Sequence, residues 1–373
     1  RTLDEMTAAL HDIVEKFPDH AKLYTIGSSA EGRDILALKL SVSPAENLPG
    51  PPEIVFVGLH HAREWISGEV TLRLAEFLAD HIGDMPRIRA IVEATELWFI
   101  PVLNPDGYLY THTTDRMWRG NRRSHPDGTF GVDLNRNYDA AWVENGYVHG
   151  TGPFSEPETR ALRDLVITPD GGTALTDMPR GLISYHSYAQ LILYPWSSQS
   201  DPAPTADLMK ATAAKMADLM LFTGGALYTV KQAYGLYAAP IFGECGEWFY
   251  TATGRATPLL IELRPAPDDD TAFALDPVYI EPTARENIAA ALYFIESILY
   301  DSVDIDTDVN GNGIADYLEV PDALLPDEDT IDISDSSDES ELSDDDLPPD
   351  TTPDADTPVV PRPHGDGCSL TLI

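Results

Sequence analysis

The 373-residue chain sets 62 Asp and Glu against 24 Lys and Arg, a formal net charge of -38, and is 43% hydrophobic. At about 100–200 residues per domain, that length allows two domains or one large α/β domain with appendages. The apolar share excludes wholesale disorder, the charge excludes a nucleic-acid binder because phosphates would be repelled, and no run approaches the ~18 consecutive apolar residues of a membrane span.

In chain order, Leu3–Lys16 places Leu3, Met6, Leu10, Ile13 and Val14 at helical spacing, predicting an amphipathic helix. Ile35–Leu40 and Glu53–His60 (EIVFVGLH) are short β-rich runs, and Ser67–Ile82 sets Val70, Leu74, Phe77, Leu78 and Ile82 on one helical face. Glu96–Leu103, Gly181–Tyr188 and Thr257–Leu263 predict buried strands, while Ala206–Phe222 and Thr283–Tyr300 predict helices. This alternation favours an α/β fold with a mixed central sheet covered by helices on both faces. In such sheets, binding residues gather at strand ends.

The charge is uneven. Residues 1–300 carry 40 acidic and 23 basic side chains, whereas residues 301–373 carry 22 acidic residues and Arg362 alone. The Pro, Ser and Asp repeated through Pro321–Pro363 cannot bury enough apolar surface to offset ordering entropy, which predicts a disordered acidic tail over 321–373. Two cysteines, Cys245 and Cys368, cannot build a disulfide framework. The chain opens at Arg1 without Met or a leader segment, as expected of a processed or trimmed form.

The strand EIVFVGLH runs straight into His61-Ala62-Arg63-Glu64-Trp65. A His and a Glu three residues apart at a strand-to-helix junction can aim imidazole and carboxylate at one metal. Catalytic zinc takes three protein ligands plus water, and His186, ending an apolar strand, is the candidate third. His60 competes, standing four residues before Glu64, and spacing alone does not choose between His60 and His61. Glu262 sits inside the β-run LLIELRP, where an unpaired buried carboxylate needs a cation, a metal-linked water or a raised pKa. It reads either as a general base or as a salt-bridge partner of Arg264. Arg116, Arg119, Arg122 and Arg123 cluster in one segment and Asp133-Leu134-Asn135-Arg136-Asn137 follows. In so acidic a chain, clustered guanidinium groups suit an anion such as a free peptide C-terminus.

These residues resemble the zinc carboxypeptidases of the carboxypeptidase A and B type, with closest likeness to the secreted bacterial branch of carboxypeptidase T. The resemblance spans roughly residues 1–300, through Glu31-Gly32-Arg33, the His61–Trp65 segment, Asn104-Pro105-Asp106-Gly107-Tyr108, Arg116–Arg119, Asp133–Asn137, Pro153–Thr159, His186-Ser187-Tyr188 and Ile261–Arg264. It implies His61, Glu64 and His186 as zinc ligands, choosing His61 over His60. It implies Glu262 as general base and acid, and Arg119 as the group stabilising the oxyanion. Asn135 and Arg136 match the clamp on the terminal carboxylate, Tyr237 its mobile lid, and Arg63 a secondary carboxylate contact. Asp133 matches the partner of the first zinc histidine, and Ser187 and Tyr188 line neighbouring subsites. Ten residues separate Tyr237 from Trp248, about two more than in carboxypeptidase A. That alignment sets Gly246 at the floor of the pocket for the last side chain. Glu244 then resembles an acidic residue that admits Lys and Arg beside apolar residues, or else is a solvent-facing loop residue. Cys245 reads as a small buried residue.

After residue 300, Asp308, Asn310, Asn312, Asp316 and Glu319 place oxygen ligands at alternating and following positions around Gly311 and Gly313. Residues 301–320 resemble one thrombospondin type 3 calcium repeat, and hard Ca²⁺ wants about six to eight such oxygens. The whole implies a secreted or cell-surface bacterial metallocarboxypeptidase with one catalytic Zn²⁺ and a Ca²⁺ site. A monomer acting on peptide and protein C-termini through zinc-activated water is expected. The alternatives are a relative acting on peptidoglycan stems or γ-glutamyl peptides, and an inactive calcium-dependent binding protein.

Overall fold

A computed structural model describes residues 1–167, 178–236, 239–254, 256–267, 269, 271–301 and 324. These belong to one unit, Arg1–Asp327. Tyr237, the calcium-repeat residues Asp308, Asn310, Asn312, Asp316 and Glu319, and the acidic tail with Cys368, apart from Leu324, lie outside the described residues, and Leu324 is buried in the core where the sequence predicted disorder.

Helix α1 spans Leu3–Lys16, as its periodicity predicts, and starts on a capping box. The Glu5 N–H donates to Thr2 Oγ1, the Thr2 N–H donates to Glu5 Oε2, and Met6, Leu10 and Ile13 are buried. Strands β1 (Ala21–Ser28), β2 (Asp34–Leu40), β3 (Glu53–Val57) and β4 (Glu96–Ile100) follow, with helices α2 (Trp65–His81) and α3 (Pro86–Ala94) between the last two. Next come α4 (Pro105–Thr113), α5 (Pro157–Ile167), β5 (Gly181–Ser187), β6 (Leu191–Tyr194), α6 (Ala206–Gly224) and β7 (Thr229–Gln232). Helix α7 (Cys245–Thr253), β8 (Thr257–Leu263) and α8 (Ile280–Leu299) complete the described elements.

The strands form one mixed eight-stranded sheet in the order β1-β2-β4-β3-β5-β8-β6-β7. Its middle four strands run parallel. They are buried along their whole lengths, which explains why they read as unbroken apolar runs. Alternate residues feed two cores. Ile54, Phe56, Leu97, Phe99, Ile183 and Ile261 pack with residues of α1, α2, α6 and α8. Val55, Val57, Trp98, Ile100 and Leu182 pack with Leu162 and Leu165 of α5 and Trp248 and Phe249 of α7. Helices therefore cover both faces, and the C-terminal ends of β3, β5 and β8 meet at one edge.

Candidate metal centre and cleft

At the end of β3 the chain turns sharply against α2. A Cβ on Gly58 would lie 2.6 Å from the Ser67 carbonyl oxygen, so only glycine permits this approach. Leu59 follows with a left-handed φ of 51°, held by the Ser67 hydroxyl, which accepts its N–H at 3.0 Å. The next residues then reach the strand ends. His61 Nδ1 lies 2.7 Å from Glu64 Oε1, and His186 Nδ1, from β5, lies 3.0 Å from Glu64 Oε2 and 3.1 Å from His61 Nδ1. All three side chains are buried, and one ligand atom from each lies within 4.8 Å of the others.

The hydrogen bonds behind this cluster decide what it can hold. His61 Nε2 faces Asp133 Oδ1 at 3.0 Å, so Nε2 carries the proton and Nδ1 presents its lone pair to the cluster. His186 Nε2 faces the Ser184 hydroxyl at 3.0 Å, which allows the same tautomer. Two imidazole lone pairs and a carboxylate then converge with no donor among them, an arrangement that a divalent cation satisfies. A His₂Glu donor set suits zinc. Burial raises the Glu64 carboxyl, but where no cation is bound the two histidine rings can turn donor towards it, and that outweighs burial and holds it well below the carboxylate range.

Glu262 is the register partner of His186 on the adjacent parallel strand, so both side chains project from the same face. Its carboxylate makes no hydrogen bond or ion pair among the described residues. Arg264, the sequence's alternative partner for it, donates instead to Glu286 Oε2 of α8 at 2.8 Å. Burial, then the Glu64 charge, pushes the Glu262 carboxyl well above the usual range, against the pull of Arg119 and Arg136.

Three arginines lie around the cluster. Arg119 donates through Nε to Asp133 Oδ2 at 2.9 Å, and its Nη1 is 3.6 Å from Glu64 Oε1. Arg136 donates one N–H to the Asn135 carbonyl at 2.7 Å, and the rest of its guanidinium has no partner among the described residues. The Asn135 Oδ1 accepts the Cys245 N–H at 2.9 Å, which orients the amide and leaves its NH₂ available. Arg63 packs its guanidinium 3.9 Å above the Phe273 ring, and its buried Nε is without a hydrogen-bond partner. Ser187 donates its N–H to Glu64 Oε2 at 3.2 Å, and Tyr188 meets Phe273 edge to face at 5.0 Å. Among Asp133's neighbours Arg119, His61 and Arg136 outweigh burial and keep it ionised.

Glu244 is not a solvent-facing loop residue. It is buried as the N-cap of α7, accepting the N–H groups of Gly246 at 2.7 Å and Glu247 at 2.8 Å. A Cβ on Gly246 would stand 3.2 Å from both Glu244 oxygens. Cys245 is a buried free thiol. Arg116, which the sequence groups with the anion-binding arginines, is instead a strut donating to the carbonyls of Arg63 at 2.8 Å and Phe273 at 2.5 Å beneath the stacked Trp65 ring. Sequence reasoning missed Phe273, whose partners Arg63, Arg116 and Tyr188 are remote in sequence, so no local pattern marks it.

A buried His₂Glu centre at the C-terminal edge of a mixed α/β sheet, with an unpaired carboxyl beside it and arginines around it, defines a metallohydrolase-like site. The chain belongs to the zinc carboxypeptidase family, whose profile matches residues 6–290, and is a metallocarboxypeptidase of the A/B type. It is 32% identical over 308 residues to carboxypeptidase O of Bos taurus, covering 79% of this chain and 78% of that protein. Against the zinc carboxypeptidase of Simulium vittatum it is 32% identical over 305 residues, covering 79% and 95%. A protein named inactive metallocarboxypeptidase ecm14, of Talaromyces stipitatus, is 33% identical over 304 residues, covering 74% and 50%. The structure of bovine thrombin-activatable fibrinolysis inhibitor in complex with tick carboxypeptidase inhibitor superposes with a TM-score of 0.69 at 27% identity, covering 81% of this chain and 98% of that one. These relatives are animal and fungal and lend no support to a bacterial origin. No helix among the described residues is long and apolar enough to cross a membrane.

Proposed function

We propose that this chain is a catalytically active, secreted exopeptidase that hydrolyses the last peptide bond of peptides and proteins carrying a free C-terminal carboxylate. The carrying observation is the unpaired Glu262 carboxyl beside the converging His61, Glu64 and His186 side chains. Zinc held by those three ligands supplies Lewis acidity and makes water a better nucleophile near neutral pH. Glu262 takes the proton from the attacking water as oxygen bonds to the carbonyl carbon. It then delivers that proton to the amine nitrogen as the C–N bond breaks, leaving a shortened peptide acid and a free amino acid. Arg119 donates to the carbonyl oxygen as negative charge develops there. Asn135, through its free NH₂, and Arg136, through its unpaired guanidinium edge, hold the substrate's terminal carboxylate, with Arg63 as a secondary contact. Ser187 and Tyr188 line the path of the preceding residues, and Tyr237 closes over the bound end.

The side-chain preference is broad, with Glu244 beside Gly246 extending it from apolar to basic ends. The placement beside the carboxypeptidase T branch, the calcium site and the division at residues 300 and 320 rest on the sequence resemblance. The inactive relative makes an enzyme without turnover the competing reading. It is disfavoured here by the simultaneous presence of His61, Glu64, His186, Glu262 and Arg119. Chelation should abolish release of the C-terminal residue, and stoichiometric zinc should restore it. Full activity in protein free of metal would overturn the proposal.

A further inference from the structure

His60 belongs to none of these roles, yet it is fully buried beside the metal centre. Its ring stacks on that of His186 with centroids 5.2 Å apart, but both its nitrogens turn away from the cluster. Nδ1 faces the Ser184 hydroxyl at 3.4 Å and Nε2 faces the Tyr138 hydroxyl at 2.8 Å. Ser184 in turn faces His186 Nε2 at 3.0 Å, and the Tyr138 hydroxyl neighbours the Cys245 thiol. Ser184, Tyr138 and Cys245 are, like His60, wholly inaccessible to solvent.

The proton positions along this chain follow from its metal end. His186 must keep its Nδ1 lone pair for the cation, so Nε2 carries the hydrogen and donates to Ser184. The Ser184 hydrogen is then available only for His60 Nδ1. That leaves His60 protonated at Nε2, donating to Tyr138, whose own hydrogen turns to the neighbouring Cys245 sulfur. Ser184, His60 and Tyr138 each donate once and accept once, all in one direction. The far end also touches the carboxylate clamp, because the Cys245 N–H holds Asn135 Oδ1. We infer that His60 is a positioning residue whose neutral ring completes a buried hydrogen-bond relay that fixes the orientation and tautomer of His186. An apolar ring at position 60 would strand the Ser184 hydroxyl without an acceptor, and buried unpaired donors are costly. Such partners of metal-bound histidines commonly change metal affinity by about 10–100-fold.

The inference rests on the proposed zinc site, and the test separates the two. Zinc dissociation constants would be measured by chelator competition for wild type, His60→Phe, His60→Gln, Ser184→Ala and the double variant His60→Phe/Ser184→Ala. His60→Phe and Ser184→Ala should each weaken zinc by about 10-fold or more, and the double variant should be no worse than about twofold beyond either, because both break one relay. His60→Gln, which keeps an acceptor and a donor, should recover most of the loss. The visible spectrum of the cobalt-substituted protein should shift in the Phe variant and revert in the Gln variant. A residue with a purely packing role would lower the melting temperature of the metal-free protein and leave both readouts unchanged. If His60→Phe does not fold, Ser184→Ala and His60→Gln carry the same comparison. Wild type that binds no zinc would sink the site itself. Tight wild-type binding matched within twofold by His60→Phe or Ser184→Ala would sink the relay alone.

Discussion

Glu262→Gln keeps the length and planar end of the side chain but removes its ability to accept a proton. Two effects of opposite sign should follow. Loss of a positioned general base costs roughly 10²–10⁴-fold in turnover, or about 3–5 kcal/mol of transition-state stabilisation. Because Glu262 makes no hydrogen bond to His61, Glu64 or His186, zinc content should stay stoichiometric, and KM should change little, since Asn135 and Arg136 rather than Glu262 are proposed to hold the terminal carboxylate. Stability should move the other way. The folded carboxyl titrates above its ordinary range through burial and the Glu64 charge. Its contribution is therefore favourable below the unfolded pKa and is lost as pH rises towards the folded one. At neutral pH the metal-free wild type holds an unpaired group that resists ionisation, and the neutral amide relieves it. The metal-free Gln variant should thus melt at or above wild type at pH 8, with the gap closing towards pH 4. Release of the last residue from a blocked dipeptide, metal analysis and thermal melts test all three. Turnover within tenfold of wild type, or a variant that loses its metal, would refute the assignment.

Arg136→Ala bears on the exopeptidase reading. Breaking a desolvated charge pair costs about 2–5 kcal/mol, so wild type should strongly prefer free-acid peptides over their C-terminal amides, and the variant should lose most of that preference; equal cleavage of both by wild type would remove the clamp. Glu158 concerns stability alone. It is fully buried, accepts from the Ala30 N–H at 2.9 Å and from Asn121 at 3.1 Å, and burial pushes its pKa to about 7. With the folded value above the unfolded one, stability falls as pH rises from the ordinary carboxylate range to about 7. At about 1.4 kcal/mol per pKa unit, Glu158→Gln should gain roughly 2 kcal/mol at pH 8 after losing about 1 kcal/mol for the Asn121 bond. It should be slightly less stable than wild type at pH 4, and a pH-independent difference in denaturant melts would contradict this.

Much of the sheet was legible because its middle strands are buried on both faces and therefore unbroken in apolar character. Helix α1 was legible to the residue, since its capping box and apolar spacing agree. The elements that escaped notice lack such signals. Strand β7 is Thr-Val-Lys-Gln at the sheet edge with no fully buried position. Helix α4 begins Pro-Asp-Gly, which reads as a turn, and has almost no amphipathic character; its start is fixed by Asn104 accepting the Gly107 N–H. The strand ends were predicted at Leu103 and His60 but fall at Ile100 and Val57, because the chain leaves the sheet early to bring His61 and Glu64 around. Spacing could not separate His60 from His61, since the answer lies in where each ring points. His60 finds Tyr138 and Ser184, whereas His61 finds Asp133, and all three partners come from other segments. The fate of Arg264 was equally hidden, because Glu286 lies 22 residues further on.

The charge distribution explains why recognition of a carboxylate here must be a short-range event. The first 300 residues carry 40 acidic and 23 basic side chains, so the field outside the cleft repels an anionic peptide end. That repulsion fades beyond about 8–10 Å at ordinary ionic strength, while pairs inside a desolvated cleft are screened far less. Arg63, Arg119 and Arg136 are held at that inner range. Two of them are already oriented, by Phe273 and by Asp133, and the third has most of its donors unspent. Because Asp133 also holds His61, one carboxylate fixes both His61 and Arg119, the residues proposed to bind the metal and to face the scissile carbonyl. On that proposal, the same residue sets the spacing between a metal-binding histidine and the oxyanion donor. With the proposed exopeptidase function, the acidic surface should favour the arrival of peptides whose remaining side chains are basic, leaving the terminal carboxylate to be recognised only after the chain has entered.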